Sequence, residues 1–261
     1  MKQYIVDAFA DELFSGNPAA VLPCRQMPPA ELMQQIAIEN NYSETAFVVK
    51  RETGQYDLKW FTPGGEIDLC GHATLGTSYV VHHFVDPGIP EMHFHTLSGE
   101  LIVQKTDYGF TMDFPVGKSK PIPLTDVILA STNGLAREAY YDGGDMVIML
   151  PDEETLRNFI PDEEKILAVD GLGFILTAAS DHYDFVSRCF YPKLKISEDP
   201  VTGRAHTYLA PIWHGKLDKA VMHAKQISAR GGNLTVEDKG ERVLISGNVQ
   251  LFMSGDIPFD L

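Results

Sequence analysis

The sequence is poor in the features that identify several common classes of protein. Its 261 residues include three cysteines, far apart and in no C-x-x-C pair, so neither a disulfide framework nor a thiolate zinc site is indicated. No apolar run reaches the length of a membrane span, and acidic residues interrupt the first apolar residues before they could form a signal peptide. Low-complexity tracts are absent as well. We therefore expect a soluble protein of a reducing compartment, the cytoplasm.

Positive charge is also scarce. The chain has 21 basic and 36 acidic residues, a net charge of −15, which would repel a nucleic-acid backbone. Neither a G-x-G-x-x-G nor a G-x-x-x-x-G-K-[ST] motif is present to bind a nucleotide. The composition, 44% hydrophobic and 22% charged, is that of a globular protein with one large domain or two modest ones. The charge therefore argues against nucleic acid as a partner, the missing motifs argue against a nucleotide, and the lack of a long apolar run argues against a membrane.

The chain resembles itself when it is shifted by about half its length. The first half contains Phe61-Thr62-Pro63 and Gly71-His72-Ala73, and the second contains Phe190-Tyr191-Pro192 and Gly203-Arg204-Ala205. Two other pairs of segments match at nearly the same offset: residues 20–23 with 148–151, and 45–48 with 174–177. This period is far longer than a solenoid repeat. We predict two similar domains, 1–117 and 118–261, that face each other across a cleft, and the last residues can return to the first half.

Periodicity and breakers predict mainly strands. The strands are expected at residues 5–9, 19–22, 45–50, 56–61, 92–96, 101–105, 110–114, 145–150 and 242–249. An amphipathic helix is predicted over residues 28–39, and a buried one from Gly71 within the uncharged stretch 69–85. A second uncharged helix is predicted over 205–215, with Pro211 expected to kink or end it. The fold class is therefore α+β, each half wrapping a sheet around a central helix.

The repeated glycines, Gly71 and Gly203, each precede a predicted buried helix. The first turn of a helix presents unpaired N–H groups and the positive end of its dipole, which can bind a substrate carboxylate. The alternative is that these glycines only permit tight turns or close packing. Their duplication favours the functional interpretation.

Few groups near these turns can move protons, and Glu44 is the most informative of them. The set is Glu44, Asp68, Cys70, His72, Glu198, Asp199 and His206. Glu44 directly precedes an apolar strand, where burial would suit it to general acid/base work, although a lone glutamate is commonly solvated. Its counterpart in the second half is Gly173, so this acid is not duplicated.

Six motifs, distributed along the chain in order, resemble those of the phenazine-biosynthesis PhzF family. They are residues 16–21 (GNPAAV), 43–48 (SETAFV), 60–63 (WFTP), 69–74 (LCGHAT), 198–206 (EDPVTG followed by Arg204, Ala205 and His206) and 226–232 (QISARGG). The resemblance spans nearly the whole chain, and it is specific because the motifs occur together.

The resemblance implies two hot-dog-like domains of the diaminopimelate epimerase-like fold, with a site between them and no metal or organic cofactor. Glu44 would take a proton from one carbon and return it to another, with His72 and Asp199 assisting through hydrogen bonds. Gly71 and Gly203 would supply backbone donors, and Cys70 and Arg204 would line the substrate. The implied activity is an isomerase acting on a small carboxylated molecule, and the sequence leaves a homodimer open.

Two positions depart from related patterns. Epimerases of the related fold use two cysteines, but Pro200 stands where the second would lie, so Cys70 is interpreted as a buried bystander. The family commonly has serine after the second glycine, where this chain has Arg204. A cationic side chain thus replaces a hydroxyl. It would bind a carboxylate or phosphate more strongly, or it would simply point to solvent.

Three other interpretations compete with an isomerase. His93 and His95 share a strand face but lack a third metal ligand, so a structural pair is expected. Ser43, His72 and Asp199 do not form a hydrolase triad, because no G-x-S-x-G turn is present and Ser43 would face away from Glu44. The serious alternative is a non-catalytic protein that binds a small acid on the same fold.

Overall fold

The computed structural model describes residues 1–258 and divides the chain into two compact units. The first unit contains Met1–Asp113 and the stretch from Ser246, and the second contains Phe114–Ile245. The division at residue 117 that was inferred from the repeat stays a prediction. Within the described part of the chain, no helix has the length and apolar character needed to cross a membrane.

The elements alternate along the chain as follows. The strands are β1 (Lys2–Ala8), β2 (Asn17–Cys24), β3 (Glu44–Glu52), β4 (Gln55–Thr62), β5 (Gly65–Ile67), β6 (Glu91–Thr96), β7 (Gly99–Thr106), β8 (Gly109–Pro115), β9 (Lys120–Ile122), β10 (Glu138–Tyr141), β11 (Met146–Met149), β12 (Phe174–Ala178), β13 (Phe185–Tyr191), β14 (Ile196–Asp199), β15 (Val221–Gln226), β16 (Gly232–Asp238), β17 (Arg242–Gly247) and β18 (Val249–Asp256). The helices are α1 (Ala30–Asn40), α2 (Gly71–Val80), α3 (Asp126–Ser131), α4 (Glu153–Arg157), α5 (Glu163–Leu167) and α6 (Gly203–Leu217), with a π-helical turn over Val81–Val85 and a 3-10 turn over Pro192–Leu194.

The first unit is a mixed sheet packed against α2. Antiparallel pairs join β18, β1 and β2, and β2 then runs parallel to β3. An antiparallel pair links β3 to β4, and β4 runs parallel to β6, which continues into β7 and β8. The helix α2 packs on β1, β2 and β3 and contains no Asp, Glu, Lys or Arg, and nearly all of it is buried. Close packing depends on Gly76, since a Cβ there would lie 2.7 Å from Cγ2 of Val6.

The second unit repeats this plan around α6. Antiparallel pairs join β9, β10 and β11, and β11 runs parallel to β12. An antiparallel pair links β12 to β13, which runs parallel to β15, and β16 completes the order. The helix α6 continues past Pro211 to Leu217, so of the two expected effects of this proline, the end of the helix is excluded and a kink stays a prediction. The carbonyl of Thr207, which proline cannot engage, accepts a hydrogen bond from the Gly117 N–H at 3.1 Å.

The internal repeat inferred from sequence therefore has a structural counterpart. Strands β2, β3, β4 and β6 make the same series of parallel, antiparallel and parallel pairs as β11, β12, β13 and β15. The register of the parallel pair differs by two residues between the units. Ala20 lies opposite Thr45, whereas its counterpart in the repeat, Ile148, lies opposite Leu176, two residues beyond the counterpart of Thr45. A shift of two leaves every side chain on its original face of the sheet. The predicted α+β class, with a sheet and a central helix in each half, is confirmed.

Candidate active site

The first residue of β3 and the second residue of α2 form an ion pair in the first unit. Oε2 of Glu44 lies 2.9 Å from Nε2 of His72, and the two side chains are only 12% and 8% exposed. Glu44 is placed there by the parallel pairing of β3 with β2, and His72 by the start of α2 at Gly71. A carboxylate and an imidazole are thus held together, largely out of bulk water.

Two more side chains contact the other ring nitrogen of His72. Sγ of Cys70 lies 3.5 Å from Nδ1, and Nδ2 of Asn17 lies 3.3 Å from it. An amide can turn either its oxygen or its nitrogen to a partner, so Asn17 can accept from an imidazolium or donate to a neutral ring. Cys70 is buried, as expected, and it directly contacts His72; its interpretation as a bystander in the chemistry stays a prediction.

The charges in this cluster follow from its burial. Burial alone would lower the pKa of His72, but its interactions with Cys70 and Glu44 outweigh the effect of burial and raise that pKa well above its ordinary value. Burial raises the pKa of the Cys70 thiol, and the Glu44 carboxylate raises it further. The thiol therefore keeps its proton near neutral pH, and Glu44 is the group that stabilises a protonated His72.

In the second unit, Asp199 ends β14 and begins a turn that leads into α6. Its Oδ2 accepts a short hydrogen bond from the Thr202 hydroxyl. Gln226, which is fully buried, donates from Nε2 to the Asp199 carbonyl at 2.7 Å and accepts at Oε1 from the Thr202 N–H at 2.9 Å. One glutamine side chain therefore fixes both ends of this turn.

The histidine of the same segment has a structural role. Nδ1 of His206 lies 2.8 Å from the Thr202 carbonyl, so the neutral ring donates its N–H to that oxygen. Burial lowers the pKa of His206 to about 4, although the hydrogen bond to Thr202 opposes the shift. His206 is thus neutral at ordinary pH and holds the turn in place.

Arg204, the second residue of α6, is paired with a carboxylate that the sequence analysis did not single out. Nε of Arg204 lies 3.1 Å from Oδ2 of Asp145, whose side chain is fully buried, while that of Arg204 is 52% exposed. Oδ1 of Asp145 accepts from the Gly173 N–H at 2.9 Å. Burial raises the pKa of Asp145, and the positive charge of Arg204 and the Gly173 N–H counteract the increase.

The position equivalent to Glu44 in the second unit has no room for a side chain. A Cβ on Gly173 would lie 2.3 Å from a ring carbon of Tyr191 and 2.9 Å from Oδ1 of Asp145. The acid that the sequence lacks in its second half is therefore excluded sterically as well.

Other candidates from the sequence lie outside these clusters. Asp68 is exposed, and Glu198 forms a two-point ion pair with Arg188 at 2.8 and 2.9 Å. His93 lies near the carboxylates of Glu91 and Glu100, whereas His95 contacts Gln55, so the two histidines do not converge on a common ligand.

Sequence reasoning missed roles for Asn17, Asp145, Tyr191 and Gln226. Asn17 and Gln226 belong to two of the motifs named above, and that membership could have identified them as candidates. Asp145 precedes β11 as Asn17 begins β2, but no motif marks it.

Three side chains of the first cluster could also hold a metal ion. Among residues 1–258, the ligand atoms of Glu44, Cys70 and His72 lie within 4.8 Å of one another. A thiol, an imidazole and a carboxylate are a donor set that suits zinc. Glu44 contacts Nε2 of His72 and Cys70 contacts Nδ1, and this arrangement is also chemically consistent with proton transfer without a metal.

In the first unit a buried carboxylate is thus held against an imidazole at a helix start, within an α+β fold, and comparisons with known proteins identify the family. The family model described as phenazine biosynthesis-like protein (PhzC-PhzF) matches residues 6–255. The chain belongs to this family.

Relatives are similar over nearly the whole chain. An "uncharacterized isomerase" of Pseudomonas aeruginosa is 46% identical over 252 residues, covering 97% of this chain and 96% of the relative. A solved PhzF-family structure from Enterococcus faecalis is also 46% identical, with a TM-score of 0.95 and 99% of each chain covered. A hydroxyproline epimerase from Agrobacterium vitis has a TM-score of 0.61 at 12% identity, covers 98% of this chain and 91% of its own, and shows the shared fold alone.

These findings confirm the resemblance and the fold predicted from the motifs. They also show that the chain is an enzyme of the isomerase type, which favours catalysis over the non-catalytic alternative.

Proposed function

We propose that the chain is a cofactor-independent isomerase that moves a carbon-bound proton on a small carboxylated metabolite, with Glu44 as its acid/base. The observation that supports this most is the 2.9 Å pair between Glu44 and His72, buried at the start of α2. A carboxylate with one oxygen held by an imidazolium has its second oxygen available for a proton.

The reaction needs no oxidant or reductant. The substrate C–H bond breaks, its proton goes to the Glu44 carboxylate, and its electron pair delocalises into an adjacent unsaturated or carbonyl group. The resulting carboxylic acid returns the proton to a different carbon, which forms the isomer and regenerates Glu44. Backbone N–H groups at Gly71 would stabilise the enolate-like charge, because donors that are already oriented cost little reorganisation.

His72 assists by holding Glu44 and by supplying the positive charge that replaces lost solvation. We propose that Asp199 also takes part by hydrogen bonding to the substrate, with N–H groups at Gly203 as further donors. Cys70 would contribute to substrate contacts as a neutral thiol.

A homodimer and a cytoplasmic location stay predictions from the sequence.

The test is incubation in deuterium oxide with a panel of cyclic and amino-acid-like carboxylates, following carbon-bound deuterium by mass spectrometry. We expect at least one compound to acquire deuterium with the wild type, and Glu44→Gln to lower the rate roughly 10²- to 10⁴-fold. Asp199→Asn should lower it as well.

Glu66→Gln is the matched control, since Glu66 is a glutamate of the same unit that is paired with Lys59 at 2.9 Å. It should exchange like the wild type. Equal exchange by wild type and Glu44→Gln would contradict the proposal, as would the absence of exchange with every compound that binds.

A further inference from the structure

The clearest unexplained feature is the pair of Asp145 and Arg204, which corresponds within its own unit to the pair of Asn17 and His72. Asn17 begins β2 and Asp145 immediately precedes β11, while His72 and Arg204 are each the second residue of a helix that starts at glycine. In both units the residue at the start of the strand contacts the residue at the start of the helix. The duplicated frame therefore carries two versions of one side-chain pair.

The two versions differ in charge. The first unit has a carboxylate beside its pair, since Glu44 contacts His72. In the second unit the corresponding position is Gly173, and the space is filled by Asp145 and Tyr191. In the described part of the chain Arg204 therefore has no counterpart of Glu44 beside it. The carboxylate that it contacts is the Asp145 of its own pair, and its guanidinium is a permanent cation.

The surroundings of Arg204 orient its guanidinium while leaving it accessible. Asp145 is fully buried and held by the Gly173 N–H, so it forms a rigid support for Nε of Arg204. The hydroxyl of Tyr208 also interacts with the Arg204 side chain. About half of that side chain stays exposed. A guanidinium has five N–H donors, so pairing through Nε leaves donors for a planar anion.

We propose that Arg204, positioned by Asp145, binds a carboxylate group of the substrate and determines the preference of the enzyme for carboxylates over neutral analogues. This inference rests on the proposed function, which it deepens by assigning a binding group and a positioning residue. Arg204 contacts the ligand, whereas Asp145 acts through Arg204.

The experiment measures binding, not turnover. A panel of cyclic carboxylates, each paired with its own carboxamide, is titrated calorimetrically into the full chain. We expect wild type to bind at least one carboxylate roughly tenfold or more tightly than its carboxamide, since a hydrogen bond to a charged group is stronger than one to a neutral group. Arg204→Gln should reduce this ratio to near one, and Arg204→Lys should retain part of it.

Asp145→Asn tests the positioning role. The ratio of carboxylate to carboxamide affinity refers to folded protein alone, so partial unfolding does not change it. We expect the ratio to fall in this variant although Arg204 is still present. Arg157→Gln is the matched control, because Arg157 is a similarly exposed arginine of the same unit that is paired with Glu153. It should keep the wild-type ratio.

Three results would overturn the inference: no carboxylate preference in the wild type, an unchanged preference in Arg204→Gln, or an equal loss in Arg157→Gln. Glu44→Gln separates this inference from the proposed function. We expect that variant to lose deuterium exchange and to keep its preference for carboxylates. If the wild type shows the preference but no exchange, that result contradicts the proposed reaction and leaves this inference standing.

Discussion

At the scale of single residues, the protonated state of His72 links the stability of the protein to pH. Its pKa in the folded protein is raised well above its ordinary value, with the Glu44 carboxylate as the stabilising charge. A raised pKa adds stability that is complete below about pH 6.5, the unfolded value, and is lost as pH rises through the folded value. Between the two values the loss is up to about 1.4 kcal/mol per pH unit.

We therefore predict that the stability difference between wild type and His72→Gln shrinks as pH rises from about 6.5 toward the raised pKa. Urea denaturation at a series of pH values measures both proteins under the same conditions, so titrations elsewhere in the chain cancel. A difference that stays constant or grows over this range would show that His72 is not held protonated.

A second residue-scale prediction concerns the asymmetry between the units. Gly173→Ala would place a Cβ 2.3 Å from the Tyr191 ring and 2.9 Å from Asp145, both of which are buried. We expect a loss of about 1–3 kcal/mol in the free energy of unfolding, as for other overpacked sites. Gly255→Ala is the control, because nothing lies within 4 Å of its Cβ position. Equal effects of the two substitutions in chemical denaturation would contradict this steric explanation.

At the scale of elements, the sequence predicted those parts that depend on local patterns. The alternation of buried Tyr56, Leu58 and Trp60 identified β4, and the uncharged stretch after Gly71 identified α2. Local sequence did not decide whether Pro211 would kink or end α6, because the partner of the Thr207 carbonyl, the N–H of Gly117, is remote in sequence. The antiparallel pairing of β18 with β1 was left open for the same reason.

The candidate site follows the same division. Motifs marked Glu44, His72, Asp199 and Arg204 as candidates. No motif marked Asp145, because its contacts with Arg204 and Gly173 arise only in the fold. Gln226 was seen as part of a motif but given no role. Its function depends on hydrogen bonds to a turn more than twenty residues earlier, which no periodicity reports.

Gln226 provides the prediction at the element scale. Gln226→Leu would leave the buried Thr202 N–H without its side-chain acceptor and the Asp199 carbonyl without its donor. We expect a loss of roughly 2–6 kcal/mol in stability, from two groups at about 1–3 kcal/mol each. We also expect faster amide hydrogen exchange at Thr202. Gln104→Leu, at an exposed glutamine that donates to Glu91, should change stability by less than about 1 kcal/mol. If the two variants lose equal stability, Gln226 does not hold the turn.

At the scale of the whole molecule, charge is the property that composition determines most directly. With 36 acidic and 21 basic residues, the net charge is −15, and repulsion among these charges disfavours the compact state. Dissolved salt screens such repulsion, with a Debye length that falls from about 30 Å at 0.01 M to about 10 Å at 0.1 M. Specific ion pairs are weakened by the same screening, but exposed pairs contribute little each.

We accordingly predict that the melting temperature at pH 7.5 rises when sodium chloride is increased from about 10 to about 200 mM, because net repulsion outweighs the exposed ion pairs. The protein supplies its own control, since its net charge is near zero around its isoelectric point of about 4.9. At that pH the repulsive contribution is absent, and salt should leave the melting temperature unchanged or lower it. A rise of equal size at both pH values would mean that the salt acts through surface exclusion or specific binding, and that net charge does not limit the stability of this fold.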